Sequence, residues 1–197
     1  MDEPIEFVFS FRSPFAWLAA RHALPMLHPE TKVRWCAFYP LPTFPNFDRP
    51  MIPAKARHNI EDLLRLAKAY GLRFGRPPLA DPDWSIPHAA FLWGDREGKG
   101  PEIARALLDA RWERGEHIET ELSIGRAAER VGLDPAAAIA ASRDEKLRGA
   151  LRDSVQRNYD ERGIFGVPMF VLSDGTRFWG HDRMEWAIAN GYARGAS

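Results

Sequence analysis

A serine and a proline stand directly after the first strand of this chain, and they decide how its opening can fold. Ile5-Glu6-Phe7-Val8-Phe9-Ser10-Phe11 is rich in aromatic and β-branched residues and predicts a strand. Arg12-Ser13-Pro14-Phe15-Ala16-Trp17 follows at once. Serine at the N-cap and proline at the first helical position predict a helix start at Ser13-Pro14. About 150 residues later, Gly163-Ile164-Phe165-Gly166-Val167-Pro168-Met169-Phe170 predicts a turn through a proline into a second apolar strand. The first turn of the helix reads Ser13-Pro14-Phe15-Ala16 and carries no sulfur, so dithiol chemistry is excluded there.

The bulk properties narrow the function classes. At 197 residues the chain can bury a substantial core, as one domain or one domain with a large insertion. With 27 basic and 27 acidic residues no polyelectrolyte partner is implied, and nucleic-acid binding is disfavoured. Cys36 is the single cysteine, within the strand-like Val33-Arg34-Trp35-Cys36-Ala37-Phe38-Tyr39, and is expected to be a small core residue rather than a nucleophile. Met1-Asp2-Glu3-Pro4 is acidic and lacks the apolar core of a secretory signal, and no run approaches the ~18 apolar residues of a membrane span. A cytoplasmic location without membrane association is expected. The histidines His22, His28, His88, His117 and His181 show no metal-ligand spacing, so no metal site is predicted.

Along the chain, strands and helices fall in an α/β order. Phe15 to Leu27 has helical spacing, with Pro25 expected to kink its last turn, and a second strand covers Lys32 to Tyr39. Pro40 to Pro53 packs five prolines into fourteen residues, a stiff irregular loop. Lys55 to Tyr70 predicts an amphipathic helix ended by Gly71, and a second proline-rich connector runs from Arg76 to Asp83. Helices are then predicted over 87–95, 101–115, 120–131, 135–142 and 143–162. Strands over 169–173 and 177–179 flank the hairpin signal Asp174-Gly175, and 182–190 closes as a helix. The expected architecture is a βαβ half and a ββα half of one central sheet, residues 1–44 and 151–197, split by an all-helical insertion over 45–150.

A strand, an active turn and a helix paired with a distant Val-Pro is the layout of thioredoxin-like proteins. More specifically, Phe9-Ser10-Phe11-Arg12-Ser13-Pro14-Phe15-Ala16-Trp17-Leu18, Gly163-Ile164-Phe165-Gly166-Val167-Pro168 and Gly180-His181-Asp182-Arg183-Met184 resemble the kappa-class glutathione transferases. They resemble still more the 2-hydroxychromene-2-carboxylate isomerases, which share that fold within the disulfide-oxidase (DsbA) superfamily. A fourth block, Asn46 through Lys55, is similar to the family's Asn-to-Lys segment. Together the four span residues 5 to about 190.

The resemblance implies a thioredoxin-like fold and glutathione as cofactor, and it gives the residues roles. Ser13 activates the glutathione thiolate; lowering a thiol from near 8.5 needs about 1.4 kcal/mol per pKa unit, which a hydroxyl donor and a helix N-terminus can supply in part. The plainer reading is that Ser13 only caps its helix. Val167 offers its backbone to the tripeptide ahead of a cis Pro168, against a trans proline that merely opens a strand. Asp182 and Arg183 meet the γ-glutamyl ammonium and carboxylate, or else are an N-capping acid and a solvated base. Lys55 and Asn46 meet a glycyl or substrate carboxylate, or else water and the local turn.

The substrate side departs from the family pattern. Trp84, in Asp83-Trp84-Ser85-Ile86-Pro87, stands where an asparagine is usual, and His58, in Lys55-Ala56-Arg57-His58, where a tyrosine commonly follows. His58 is a general base near neutral pH or a surface histidine. Trp17, Phe44, Phe47 and Trp84 are candidate walls of an apolar slot. The resemblance implies a glutathione-dependent cis–trans isomerase of an aromatic unsaturated 2-oxo acid, in which thiolate adds to a conjugated carbon, the former double bond rotates and thiolate leaves. It also implies a homodimer. The alternatives are a kappa-like transferase or peroxidase, and a non-catalytic thioredoxin-like binding protein.

Overall fold

Alternating apolar positions make Ile5–Phe9 (β1) the centre of the molecule: Phe7 and Phe9 have no exposed surface. The structure is a computed structural model that describes residues 4–45, 51–78 and 81–196. β1 pairs in parallel with Val33–Ala37 (β2) and antiparallel with Met169–Val171 (β3), which pairs antiparallel with Arg177–Trp179 (β4). The sheet order is β2-β1-β3-β4, the βαβ and ββα halves joined along β1 and β3.

The first crossover begins as Pro14–Leu18 (α1), widens into a π turn over Ala19–Ala23 and tightens to 3₁₀ over Leu24–Met26. A kink at Pro25 was the expectation; the helix adjusts earlier instead. Proline has no N–H and its ring crowds the carbonyl four residues back, and a wider turn ahead of it relieves both. Between β2 and β3 lie Pro53–Ala69 (α2), Ser85–Arg96 (α3), Gly100–Trp112 (α4), Glu121–Arg130 (α5), Pro135–Arg143 (α6) and Glu145–Asp160 (α7). Arg183–Ala189 (α8) follows β4. The seam drawn at 150/151 crosses α7, a continuous helix whose Leu151 and Val155 are buried in the same core as the sheet. No described helix is long and apolar enough to cross a membrane.

Aromatic side chains on the odd-numbered face of β1 join sheet and helices. Phe9 meets Phe91 of α3 at 5.0 Å and Trp35 of β2 at 5.2 Å, both edge-on, and Phe7 stacks on Phe170 at 5.4 Å. On the even face Glu6 is bonded by Arg34 and by Arg162, which follows α7. Burial opposes its ionisation, but the two guanidinium hydrogen bonds outweigh it and hold the carboxyl below its usual range. Cys36 lies half-buried across from Val8 with Sγ 3.7 Å from Glu6. Burial, then the Glu6 charge, pushes its thiol up to about 12. It packs against the core from the side of the sheet, half-buried rather than within the core as expected.

Candidate functional site

β1 was expected to run to Phe11 but ends at Phe9, because the next residues take their hydrogen bonds elsewhere. The Phe11 N–H donates to His88 Nε2 at 3.4 Å, and the Trp112 indole N–H donates to the Phe11 carbonyl at 3.0 Å. The Arg12 N–H donates to Ser10 Oγ at 3.2 Å and the Ser13 N–H to the Ser10 carbonyl at 3.1 Å. Two helices of the insertion, α3 and α4, thus grip the residue two places before Ser13 by both its peptide groups.

His88 has no exposed surface. Its Nδ1 lies 2.6 Å from the Trp84 carbonyl, so Nδ1 carries the proton and Nε2 is free to accept. Burial pushes its pKa down to about 3, against the Trp84 hydrogen bond, and the ring is neutral at physiological pH. Tyr39 stacks on it at 4.8 Å with a buried, unpartnered hydroxyl.

Ser13 is the N-cap of α1, with extended backbone (φ −96°, ψ 115°), and its Oγ accepts from the Ala16 N–H at 3.2 Å. That bond uses a lone pair, and the hydroxyl proton stays available to an acceptor in front of the helix. Pro14 brings no N–H, and the Phe15 N–H has no partner among the described residues. The Val167–Pro168 peptide is cis. β1 and β3 pair Val8 with Met169, so continuing that register sets Pro168 beside Phe9 and Val167 beside Ser10. The Val167 N–H and carbonyl have no partner among the described residues.

The Gly180 N–H donates to the Pro168 carbonyl at 3.0 Å, which fixes the third segment against the second. Gly180 has φ +130°, and a Cβ there would stand 2.8 Å from Asp182 Oδ1, so only glycine fits. His181 stacks on Phe15 at 5.5 Å, linking this segment to the first turn of α1. Asp182 precedes α8 but makes no capping hydrogen bond, contrary to the plainer expectation for it. Its carboxylate faces Arg183 at 3.4 Å, both about half-exposed.

Other predicted residues fall elsewhere. Trp17 is not a slot wall: it has no exposed surface, and its indole N–H donates to Asp109 of α4 at 3.0 Å, docking α1 on the insertion. Phe44 is likewise filled in, stacked on Tyr159 at 4.2 Å and on Phe38 at 5.7 Å. Trp84 is 7% exposed with the Arg111 guanidinium over its ring at 4.7 Å, so that face is already covered. Lys55 and His58 are exposed on the first turns of α2, with no ion pair among the described residues. Asn46 and Phe47 lie outside the described residues. Sequence reading missed His88, Trp112 and Arg111. It also missed Phe165 and Trp179, an exposed edge-on pair 5.0 Å apart beside Gly166.

Known proteins give the same outline. A profile of the DSBA-like thioredoxin domain matches residues 4–187. The chain is 28% identical to a 2-hydroxychromene-2-carboxylate isomerase of Sphingobium xenophagum, over 94% of this chain and 96% of that one. Among solved structures it is similar to a 2-hydroxychromene-2-carboxylate isomerase, with TM-score 0.78 and 22% identity over 96% of this chain and 94% of that chain. It is also similar to the cytosolic disulfide reductase DsbM of Pseudomonas aeruginosa with GSH, with TM-score 0.65 and 23% identity, over 87% of each chain.

Proposed function

The chain belongs to the family of DSBA-like thioredoxin domains, and from that premise and the sulfur-free turn we propose that it is a glutathione-dependent isomerase of aromatic unsaturated 2-oxo acids, of the 2-hydroxychromene-2-carboxylate type. The observations that carry the reading are the Ser13 cap after β1 and the cis Val167–Pro168 peptide that the β1–β3 register sets beside the residues leading to it, both with unused hydrogen-bonding groups. Thiol–disulfide exchange needs a cysteine at that turn, and the one cysteine of the chain lies on β2 with its thiol pushed up to about 12.

The residues present fit glutathione. The Val167 N–H and carbonyl are spaced to pair with a peptide as an added strand would. The Ser13 hydroxyl and the Phe15 N–H face the place where the central residue of such a peptide presents its thiol. Asp182 holds an ammonium group and Arg183 a carboxylate, while Lys55 is the candidate for the far carboxylate. Glutathione supplies a thiolate able to add reversibly to a conjugated carbon. The role of Ser13 is to hold a proton on Oγ toward that sulfur, with the hydroxyl oriented by the Ala16 N–H. The solved DsbM neighbour with GSH supports the choice of tripeptide.

The reading is tested by following 2-hydroxychromene-2-carboxylate in the ultraviolet with and without glutathione. Turnover that requires glutathione and leaves its concentration unchanged is expected. Glutathione consumed in step with substrate would replace isomerase by transferase, and no turnover under either condition would remove the reading.

A further inference from the structure

This protein pairs a buried arginine thoroughly when it needs to. Arg148 on α7, its side chain 16% exposed, donates from Nε to Ser85 Oγ at 2.7 Å and makes ion pairs with Asp83 and Glu145. Arg111 on α4 is only 4% exposed, yet it makes no ion pair among the described residues, and its Nε–H meets no acceptor. Two indoles hold it instead, Trp84 at 4.7 Å and Trp112 at 5.2 Å from the guanidinium carbon. Trp84 repeats the contrast. Asp83 and Ser85 on either side of it are bonded to each other and to Arg148, while the Trp84 indole N–H is buried without an acceptor.

Two buried donors without a protein acceptor, one of them cationic, therefore lie against each other. Such groups are costly to keep unless something accepts from them, and a carboxylate brings lone pairs enough for both. The pair is tied to the site loop at both ends. Trp112 donates to the Phe11 carbonyl, and the Trp84 carbonyl receives His88, which holds the Phe11 N–H. Asp81 lies within electrostatic reach of Arg111 and supplies negative charge, offset by Arg12, with which it forms an ion pair at 2.8 Å. Glu119, also within reach and with an unpartnered Oε2, is the internal competitor.

We propose that the Arg111 guanidinium and the Trp84 indole N–H form the site that takes the carboxylate of an aromatic unsaturated acid beneath the Ser13 loop. The identity of the acid rests on the isomerase reading; the site itself rests on the two unmet donors.

The test is calorimetric titration with cinnamate and with methyl cinnamate, which keeps the skeleton and lacks the charge. Arg111→Met should weaken cinnamate about 10-fold or more and Trp84→Phe about 3-fold, with methyl cinnamate indifferent to both. Trp84→Phe keeps an aromatic face under the guanidinium and removes the N–H together with the five-membered ring. Methyl cinnamate, which sees the lost volume but not the lost donor, separates the two effects, so this variant answers even where Arg111→Met fails to fold. Glu119→Gln should retain cinnamate binding. No binding by the wild type, or equal binding by the wild type and Trp84→Phe, would overturn the site whether or not 2-hydroxychromene-2-carboxylate is turned over. So would a Glu119→Gln variant that loses as much stability as Arg111→Met while neither changes cinnamate binding. Failure of turnover alone would remove the isomerase reading and leave the cinnamate result standing.

Discussion

Ahead of α1, the amides of Phe11, Arg12 and Ser13 all have partners, and two of the groups that hold Phe11 come from buried side chains of α3 and α4. By contrast, Asp182 and Arg183 stand half-exposed and pair with each other, and Lys55 is open to water. The difference teaches how the proposed glutathione site would divide its labour. The segment proposed to aim a hydroxyl at one atom is fixed by groups removed from water, where hydrogen bonds are strongest. The segments proposed to read flexible charged ends are left solvated, where each ion pair contributes less.

If that contrast holds, the largest effects belong to the fixed segment. His88→Ala removes a buried ring and strands the Phe11 N–H, and should cost roughly 3–5 kcal/mol in denaturant unfolding. A loss under 1 kcal/mol would mean the segment is not fixed by His88. Acid should find the same residue. Unfolded, His88 binds a proton below its ordinary value near 6.5; folded, it stays neutral down to about 3. Stability is thus complete above about 6.5 and falls with pH through that window, by roughly 2–3 kcal/mol between pH 6.5 and 4.5. His88→Gln should flatten that slope, seen as melting temperatures that no longer track pH. His181, next to Asp182, is also shifted down by burial, and His181→Gln should change the slope less.

A step down in size, Trp112→Phe keeps one aromatic ring but deletes the pyrrole part of the buried indole with its N–H to the Phe11 carbonyl, at roughly 2–3 kcal/mol. It should also reduce activation of bound thiol, read as weaker absorbance near 240 nm, which a purely structural bond would leave alone. Trp17→Phe loses the bond to Asp109 and leaves a cavity where the fully buried indole stood, roughly 2–3 kcal/mol, without moving that absorbance. Smallest in stability are Asp182→Asn and Lys55→Ala, within about 0.5 kcal/mol. Their effect should appear only as weaker glutathione binding, and unchanged affinity in both would take the solvated segments out of the site.

What the sequence disclosed and withheld follows the same division. Ser13-Pro14, Asp174-Gly175 and the alternation in β1 are signals that act over a few residues, and their elements formed where the local chemistry placed them. The Val-Pro turn was legible too, with its cis state supplied by resemblance alone. The grip of His88 and Trp112 on Phe11 spans 77 and 101 residues and leaves no local trace. Trp17 and Phe44 were misplaced for a related reason: an aromatic residue near a site looks the same in sequence whether it lines a slot or fills the core beneath it.

Calorimetric titration of the wild type and Ser13→Ala with glutathione and with S-methyl glutathione tests the central claim most directly, with thiolate absorbance read in parallel. The account predicts that the wild type binds glutathione, that Ser13→Ala retains most of the affinity but loses thiolate near 240 nm, and that the two proteins bind the S-methyl compound alike. No heat and no thermal shift at millimolar glutathione would contradict it.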